Sequence, residues 1–309
     1  MTIDMSSSAP IFGFGAHSTF AERDELLRLA RLADQIGLDV ISLSDHPYVG
    51  DRIDAYAALA FILGHTQQLG GFVNVTNLPT RPAPMLARTV TSLSAMSDGR
   101  VILGIGAGGL WQHIARMGVP PVSPSEAVEA FEEAITLIKR MSGGGPPVTV
   151  HGRHYHVDAI EPAPVEAVPV WTGSVGRKSL AATGRVADGW IPGHAADWRS
   201  ARFRDSRPVI DDVAQSVGRN PRDIRTVFNL PGLISARPLP RTRDDDNRWI
   251  SGSPAQWVDE LVTAVNDYAA AGFMLFSPTG GSPDERSLSV WGNEIAPAVR
   301  EAVSAEALG

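Results

Sequence analysis

Short apolar runs alternate along this chain with longer stretches of helical period, the pattern of parallel strands joined by crossover helices. The runs predict eight strands, at 11–15, 40–44, 71–75, 101–105, 168–172, 189–192, 226–230 and 273–276. Between the first two, Leu26, Leu29, Ala30 and Ala33 recur at helical spacing and Gly37 ends the helix. Three later helices are announced by Ser123-Pro124-Ser125-Glu126, Ser253-Pro254-Ala255-Gln256 and Ser282-Pro283-Asp284-Glu285. Each combines an N-cap serine, a first-turn proline and a returning acid or amide. Behind the first two run apolar stripes, Val128, Phe131, Ile135 and Ile138, then Trp257, Leu261, Val265 and Tyr268, which predict packing against a sheet. Eight such strand-helix units close into an α/β barrel, a (β/α)8 or TIM barrel, whose ligand site lies at the C-terminal ends of the strands.

The stretch 98–109, DGRVILGIGAGG, is the fourth strand running into a glycine-rich mouth. Gly104, Gly106 and Gly109 match the spacing of a dinucleotide-binding turn. That turn needs a helix to start at once, whereas Gly118, Pro120 and Pro121 follow here, and about a hundred residues of strand and helix precede it. The match is therefore rejected. An insertion separates strands four and five, with glycines and prolines at 143–147 and a small hairpin over 148–157 turning at Gly152. Residues 1–10 read as a loose tail, and 11–309 as one barrel domain.

With 309 residues, 43% hydrophobic and 20% charged, the chain can bury one large core. A net charge of -7 without long runs of one sign offers no basic face for nucleic acid. The absence of cysteine removes disulfides and thiolate chemistry. No apolar run reaches eighteen residues and no signal-like start is present, so neither a membrane span nor secretion is expected, and the cytoplasm is the expected compartment.

Read at the strand ends, the mouth collects Ser44, Asp45 and His46 after strand two, Asn74, Val75 and Thr76 after strand three, and Gly106, Ala107, Gly108 and Gly109 after strand four. Strand five runs into Gly173-Ser174-Val175-Gly176-Arg177-Lys178 directly before a helix. Open backbone N–H groups and a helix N-terminus make that loop an anion site, although a plain turn with two solvated basic residues has the same sequence. Asp45 and His46 pair a carboxylate with a group that exchanges protons near neutral pH, while Asp45 before Pro47 also fits a loop cap. His17 ends strand one and lines the pocket or lies on an exposed loop. His151, His154 and His156 fall on the hairpin with no closing carboxylate, so no metal is assigned. No nucleophile elbow occurs. A phosphate cradle and an acid–histidine pair without metal or nucleophile point to a bound organic cofactor that carries the reaction.

Here the chain resembles the luciferase-like monooxygenase superfamily, in the branch of oxidoreductases that use the deazaflavin coenzyme F420. The resemblance spans nearly the whole chain after the tail. It is carried by SLSDH at 42–46, LPTRPAPMLA at 78–87, DGRVILGIGAGG at 98–109, VPVWTGSVGRKSL at 168–180 and TGRVADGWIP at 183–192. It implies that Asp45 hydrogen-bonds the polar edge of the deazaflavin, that His46 stands near its reacting face, and that Asn74-Val75 is a cis peptide backing the ring. Gly106, Ala107 and Gly108 would flank the ring, Gln112 would reach the ribityl-like chain, and Gly173, Ser174, Val175, Gly176 and Arg177 would hold the phosphate. In the branch's sugar-phosphate dehydrogenases a glutamate follows the strand-four glycines, where this chain has Gly109, and Lys139 and Lys178 are its only lysines. Trp111, Trp190, Trp198 and Phe276, placed near the mouth, suggest a small apolar substrate. The resemblance further implies a homodimer. An FMN-dependent monooxygenase of the same fold is the first alternative, a non-catalytic cofactor-binding barrel the second, and a metal-dependent hydrolase a distant third.

Overall fold

The structure, a computed structural model, describes residues 9–306, so the tail predicted at 1–10 falls outside it apart from Ala9 and Pro10. Eight parallel strands form the barrel: β1 Ile11–Ala16, β2 Val40–Leu43, β3 Gly70–Val73, β4 Val101–Gly106, β5 Val170–Thr172, β6 Gly189–Trp190, β7 Arg225–Pro231 and β8 Ala270–Phe276. Each pairs with the next, and β8 pairs with β1, which closes the sheet. All eight predicted strands are present, with shifted ends. The expected (β/α)8 barrel is thus the observed fold. β6 stops at Trp190, because two residues on, Pro192 has no N–H for a ladder.

The helices follow the strands: α1 Arg23–Gln35, α2 Ala55–Gly64, α3 Ala83–Met96, α4 Pro124–Arg140, α5 Arg177–Val186, α6 Ala201–Ser216 and α7 Pro254–Tyr268. The last, α8, runs from Glu285–Val290 through a π-turn into Ala296–Glu306. Ser123–Glu126 and Ser253–Gln256 form the predicted capping boxes. The third signal resolves differently. Asp284, not Ser282, caps α8 by accepting from the Ser287 N–H, and Ser282 Oγ accepts from the backbone N–H of His17. Asp284, two residues beyond Ser282, directly precedes the first helical residue, so its carboxylate reaches the first-turn N–H. The 143–160 insertion carries an antiparallel hairpin, Val148–His151 with His156–Ile160.

Two glycines of the 98–109 stretch serve packing. A Cβ on Gly104 would lie 2.1 Å from the Val73 carbonyl oxygen, and one on Gly106 would lie 2.9 Å from Val75 Cγ2. The absence of side chains there brings β4 against β3 and makes room for Val75. The peptide between Asn74 and Val75 is cis. β3 therefore breaks after Val73, and the chain rejoins the sheet at Thr76–Asn77 beside Ile105 and Gly106. Inside the barrel, Ile11, Val40, Phe72, Ile102, Trp171, Ile191, Val227 and Met274 form a packed plug, with Val75 and Phe276 resting on it. That plug closes the barrel from below, so a ligand approaches from the strand C-termini. No helix among the described residues is long and apolar enough to cross a membrane.

Candidate active site at the strand C-terminal ends

Two contiguous lobes open above the plug. The first, about 450 Å³, is lined from β1, β2, β7 and β8 ends by residues that include His17, Ser44, Asn229 and Phe276. The second, about 370 Å³, is walled by Gly106, Ala107, Gly108, Gly109 and Leu110. His46, Asn74, Val75 and Gly173 line both. Among the described residues His46 is the one titratable side chain common to the two lobes.

His46 is held from behind: its Nδ1 lies 2.9 Å from Tyr48 Oη, and the Tyr48 ring stacks on His113 at 5.3 Å. The second ring nitrogen is left for a ligand. Burial, followed by the nearby Arg52 guanidinium, pushes the His46 pKa below the ordinary 6.5. His17 is lowered too, again by burial first and Arg52 second. Both rings bind protons more readily in the unfolded chain. Between their depressed folded values and 6.5, stability therefore rises with pH. Melting temperature should fall as pH drops from about 7.5 to about 5.5, and the double variant His17→Asn/His46→Asn should show a shallower fall. An unchanged slope in the double variant would assign the dependence to other groups.

Asp45, after β2, lines the second lobe. Its side chain is 1% exposed. Arg81 donates to both of its oxygens, through Nε at 2.8 Å and Nη2 at 2.7 Å, and the Asn77 backbone N–H donates at 2.9 Å. These bonds hold the carboxylate within the wall of the second lobe. Arg81 also binds Asp54, whose other oxygen caps α2 by accepting from Tyr56 and Ala57 N–H groups. Thr76 is fully buried with its hydroxyl on Tyr56 Oη at 2.7 Å. Asn74 Nδ2 donates to Asn229 Oδ1 at 3.0 Å. Asn77 Oδ1 is buried with no hydrogen-bond partner, in the wall of the second lobe.

The loop after β5 is partly as expected. Gly173 lines both lobes, and Val175, Gly176 and Arg177 are exposed at the start of α5. Ser174 is turned inward: its Oγ accepts from Thr183 Oγ1 and its carbonyl accepts from Trp190 Nε1. The Gly176 N–H is taken by Ser179 Oγ. Neither the Ser174 hydroxyl nor the Gly176 amide therefore faces a ligand in this arrangement. Gln112 is exposed on the short helix Trp111–Ala115 and lines neither lobe. Trp190 and Trp198 are fully buried, the latter against Phe228 and Phe273, which removes two of the four aromatic side chains that suggested an apolar substrate, while Phe276 lines the first lobe. Both lysines are committed outside the lobes, Lys139 to Asp188 and Lys178 to Ser125. Among the described residues no group of histidines and carboxylates could hold a metal.

Sequence reasoning missed Tyr48, Arg52, Asn77, Arg81, His194 and Asn229. Arg81 lies in the 78–87 segment, but nothing in its spacing discloses a partner 36 residues earlier.

The fold and the site define a (β/α)8 barrel with a divided cavity at the strand ends, built around a backbone break after β3. The chain belongs to the luciferase-like monooxygenase family, whose model matches residues 3–257. It is 27% identical to an F420-dependent glucose-6-phosphate dehydrogenase of Microbacterium testaceum, over 94% of this chain and 97% of that protein. It is 28% identical to a 5,10-methylenetetrahydromethanopterin reductase of Methanolobus tindarius, over 66% of this chain and 61% of that one. Its fold is shared with the coenzyme F420 dependent tetrahydromethanopterin reductase from Methanopyrus kandleri, with a TM-score of 0.77 at 17% identity, covering 94% of this chain and 99% of that one.

Proposed function

We propose that this chain is an F420-dependent oxidoreductase, with residues 11–309 acting as one barrel domain, paired as a homodimer in the cytoplasm. The observation that carries the reading is the divided cavity with His46 as its shared titratable group. The relatives named for F420 lend it the coenzyme. The residues present fit a flat ring with polar edges. Gly106, Gly108 and Gly173 line the second lobe with backbone rather than side chains, and Asn77 in the same wall has a side-chain oxygen without a partner. A Cβ on Gly108 would meet Pro79 at 2.7 Å, so this position too depends on glycine. When bound, the deazaflavin would supply hydride exchange at its C5 carbon.

The remaining chemistry falls to the chain. His46, held by Tyr48, moves the substrate proton at its free ring nitrogen. Asp45 and Arg81 fix the Asn77 backbone and thereby the wall that meets the ring. The exposed start of α5, with Val175 and Arg177, takes the coenzyme phosphate at a helix N-terminus. Gly109 offers no side-chain acid, so proton transfer rests on His46.

Titration of the protein with oxidised F420 and separately with FMN, followed by absorbance and fluorescence, tests this. F420 is expected to bind at micromolar concentration and FMN far more weakly. The variant Gly173→Phe, whose side chain would press on Val75 and fill the junction of the lobes, should lose at least about tenfold in affinity, roughly 1.4 kcal/mol. Preference for FMN would replace the reading with a flavin monooxygenase, and binding of neither would remove the coenzyme assignment.

A further inference from the structure

The first lobe contains a cation that the proposed reaction does not use. Arg52 follows β2 in a turn that is pinned to the loop after β1: Ile53 N donates to Ser18 O at 2.7 Å, Phe20 N to Asp51 O at 3.0 Å, and Thr19 bridges Arg52. Its side chain, 21% exposed, lines the lobe. Nε and Nη1 are buried and have no hydrogen-bond partner. The Asp51 carboxylate stands 3.8 Å from Nε, beyond hydrogen-bond reach, and is itself 69% exposed. Among the described residues no aspartate, glutamate or lysine lines this lobe, so Arg52 is its one fixed charge.

Nε and Nη1 lie on opposite edges of the guanidinium, so what Arg52 offers an anion in the lobe is its positive charge and the N–H groups of its accessible part, from which a carboxylate or phosphate accepts charge-assisted hydrogen bonds. Arginine, with its planar fork, suits that contact better than lysine does. The surroundings add donors: Ser42, Ser44 and Thr279 line the same lobe. On the far rim a Cβ at Gly280 would come 3.1 Å from His194 Nε2, so glycine keeps that entrance clear.

We infer that Arg52 anchors an oxyanion of the substrate, which makes the substrate a small organic anion carrying a carboxylate or a phosphate. The inference rests on the proposed function only in giving this lobe to the substrate. The coenzyme's own phosphate belongs to the loop after β5, on the other side of Val75.

The test titrates inorganic phosphate and, separately, succinate into the protein by calorimetry, with and without F420 bound, in wild type, Arg52→Gln and Arg52→Lys. At least one anion should bind wild type, the tighter naming the group. Binding should weaken by about tenfold or more in Arg52→Gln and by an intermediate factor in Arg52→Lys, which keeps the charge and loses the fork. F420 affinity should stay within about twofold of wild type in both. Should Arg52→Gln not fold, the Arg52→Lys comparison decides the matter. Failure of both anions to bind, or equal binding by the variants, overturns the inference. A parallel loss of F420 affinity overturns it as well, by placing the guanidinium on the coenzyme. Loss of F420 binding by wild type, with the Arg52-dependent anion binding intact, would sink the coenzyme reading alone.

Discussion

Replacing His46 with alanine should lower turnover by about 10²–10³-fold while leaving F420 affinity nearly unchanged. The side chain lines both lobes, and its Nδ1 is engaged by Tyr48, so one ring nitrogen is presented to the reacting centre. Burial and the Arg52 charge hold the ring neutral near pH 7, which is the form that accepts a proton. In the direction of substrate oxidation, wild-type activity should therefore be full above 6.5 and fall as pH drops through the depressed His46 value. The variant should retain a low rate without that acid limb. Single-turnover rates and F420 dissociation constants, measured across pH, check both halves. Equal turnover in the variant would reduce His46 to packing, and a matching loss of coenzyme affinity would make it a binding residue.

The fold was legible because its signals are local. Apolar runs mark β1 to β8, and the Ser–Pro–x–Glu/Gln starts of α4 and α7 satisfy their own caps within one turn. Where a cap depends on a distant partner, the same motif misleads: Ser282 is drawn away by the His17 amide, 265 residues distant in the chain, and Asp284 caps instead. The site was half legible for the same reason. Strand ends put His46, Asn74, Val75 and the glycines at the mouth, since a barrel fixes where strand ends go. Which way a long or polar side chain turns there depends on partners brought by other strands. Ser174 turns in to Thr183, Trp190 plugs the wall through the Ser174 carbonyl, and Asp45 is claimed by Arg81. The Arg52 and Asn77 atoms without partners follow only from three-dimensional burial.

The second large effect lies behind the site. Arg81→Ala should destabilise the protein by about 3–5 kcal/mol, because it strands a carboxylate that is almost wholly enclosed. The Asp45 side chain is 1% exposed and the Arg81 side chain 19%, so water screens the pair little. Arg81 also packs over the Tyr56 ring at 4.8 Å and joins the α2 cap through Asp54. Asp45→Asn, which keeps the shape and removes the charge, should cost less. In the double variant Arg81→Ala/Asp45→Asn the penalty should be smaller than the sum of the two, since the stranded charge is gone. Urea unfolding of the four proteins completes the cycle. Additive losses would mean that the pair does not act as a unit. The same cycle reads the site, because the Asp45 oxygen that takes Arg81 Nε also takes the Asn77 N–H, and Asn77 lines the second lobe. F420 affinity should accordingly weaken in the order of stability loss, most in Arg81→Ala. Stability lost with coenzyme affinity intact would confine the ion pair to folding and detach it from the ring.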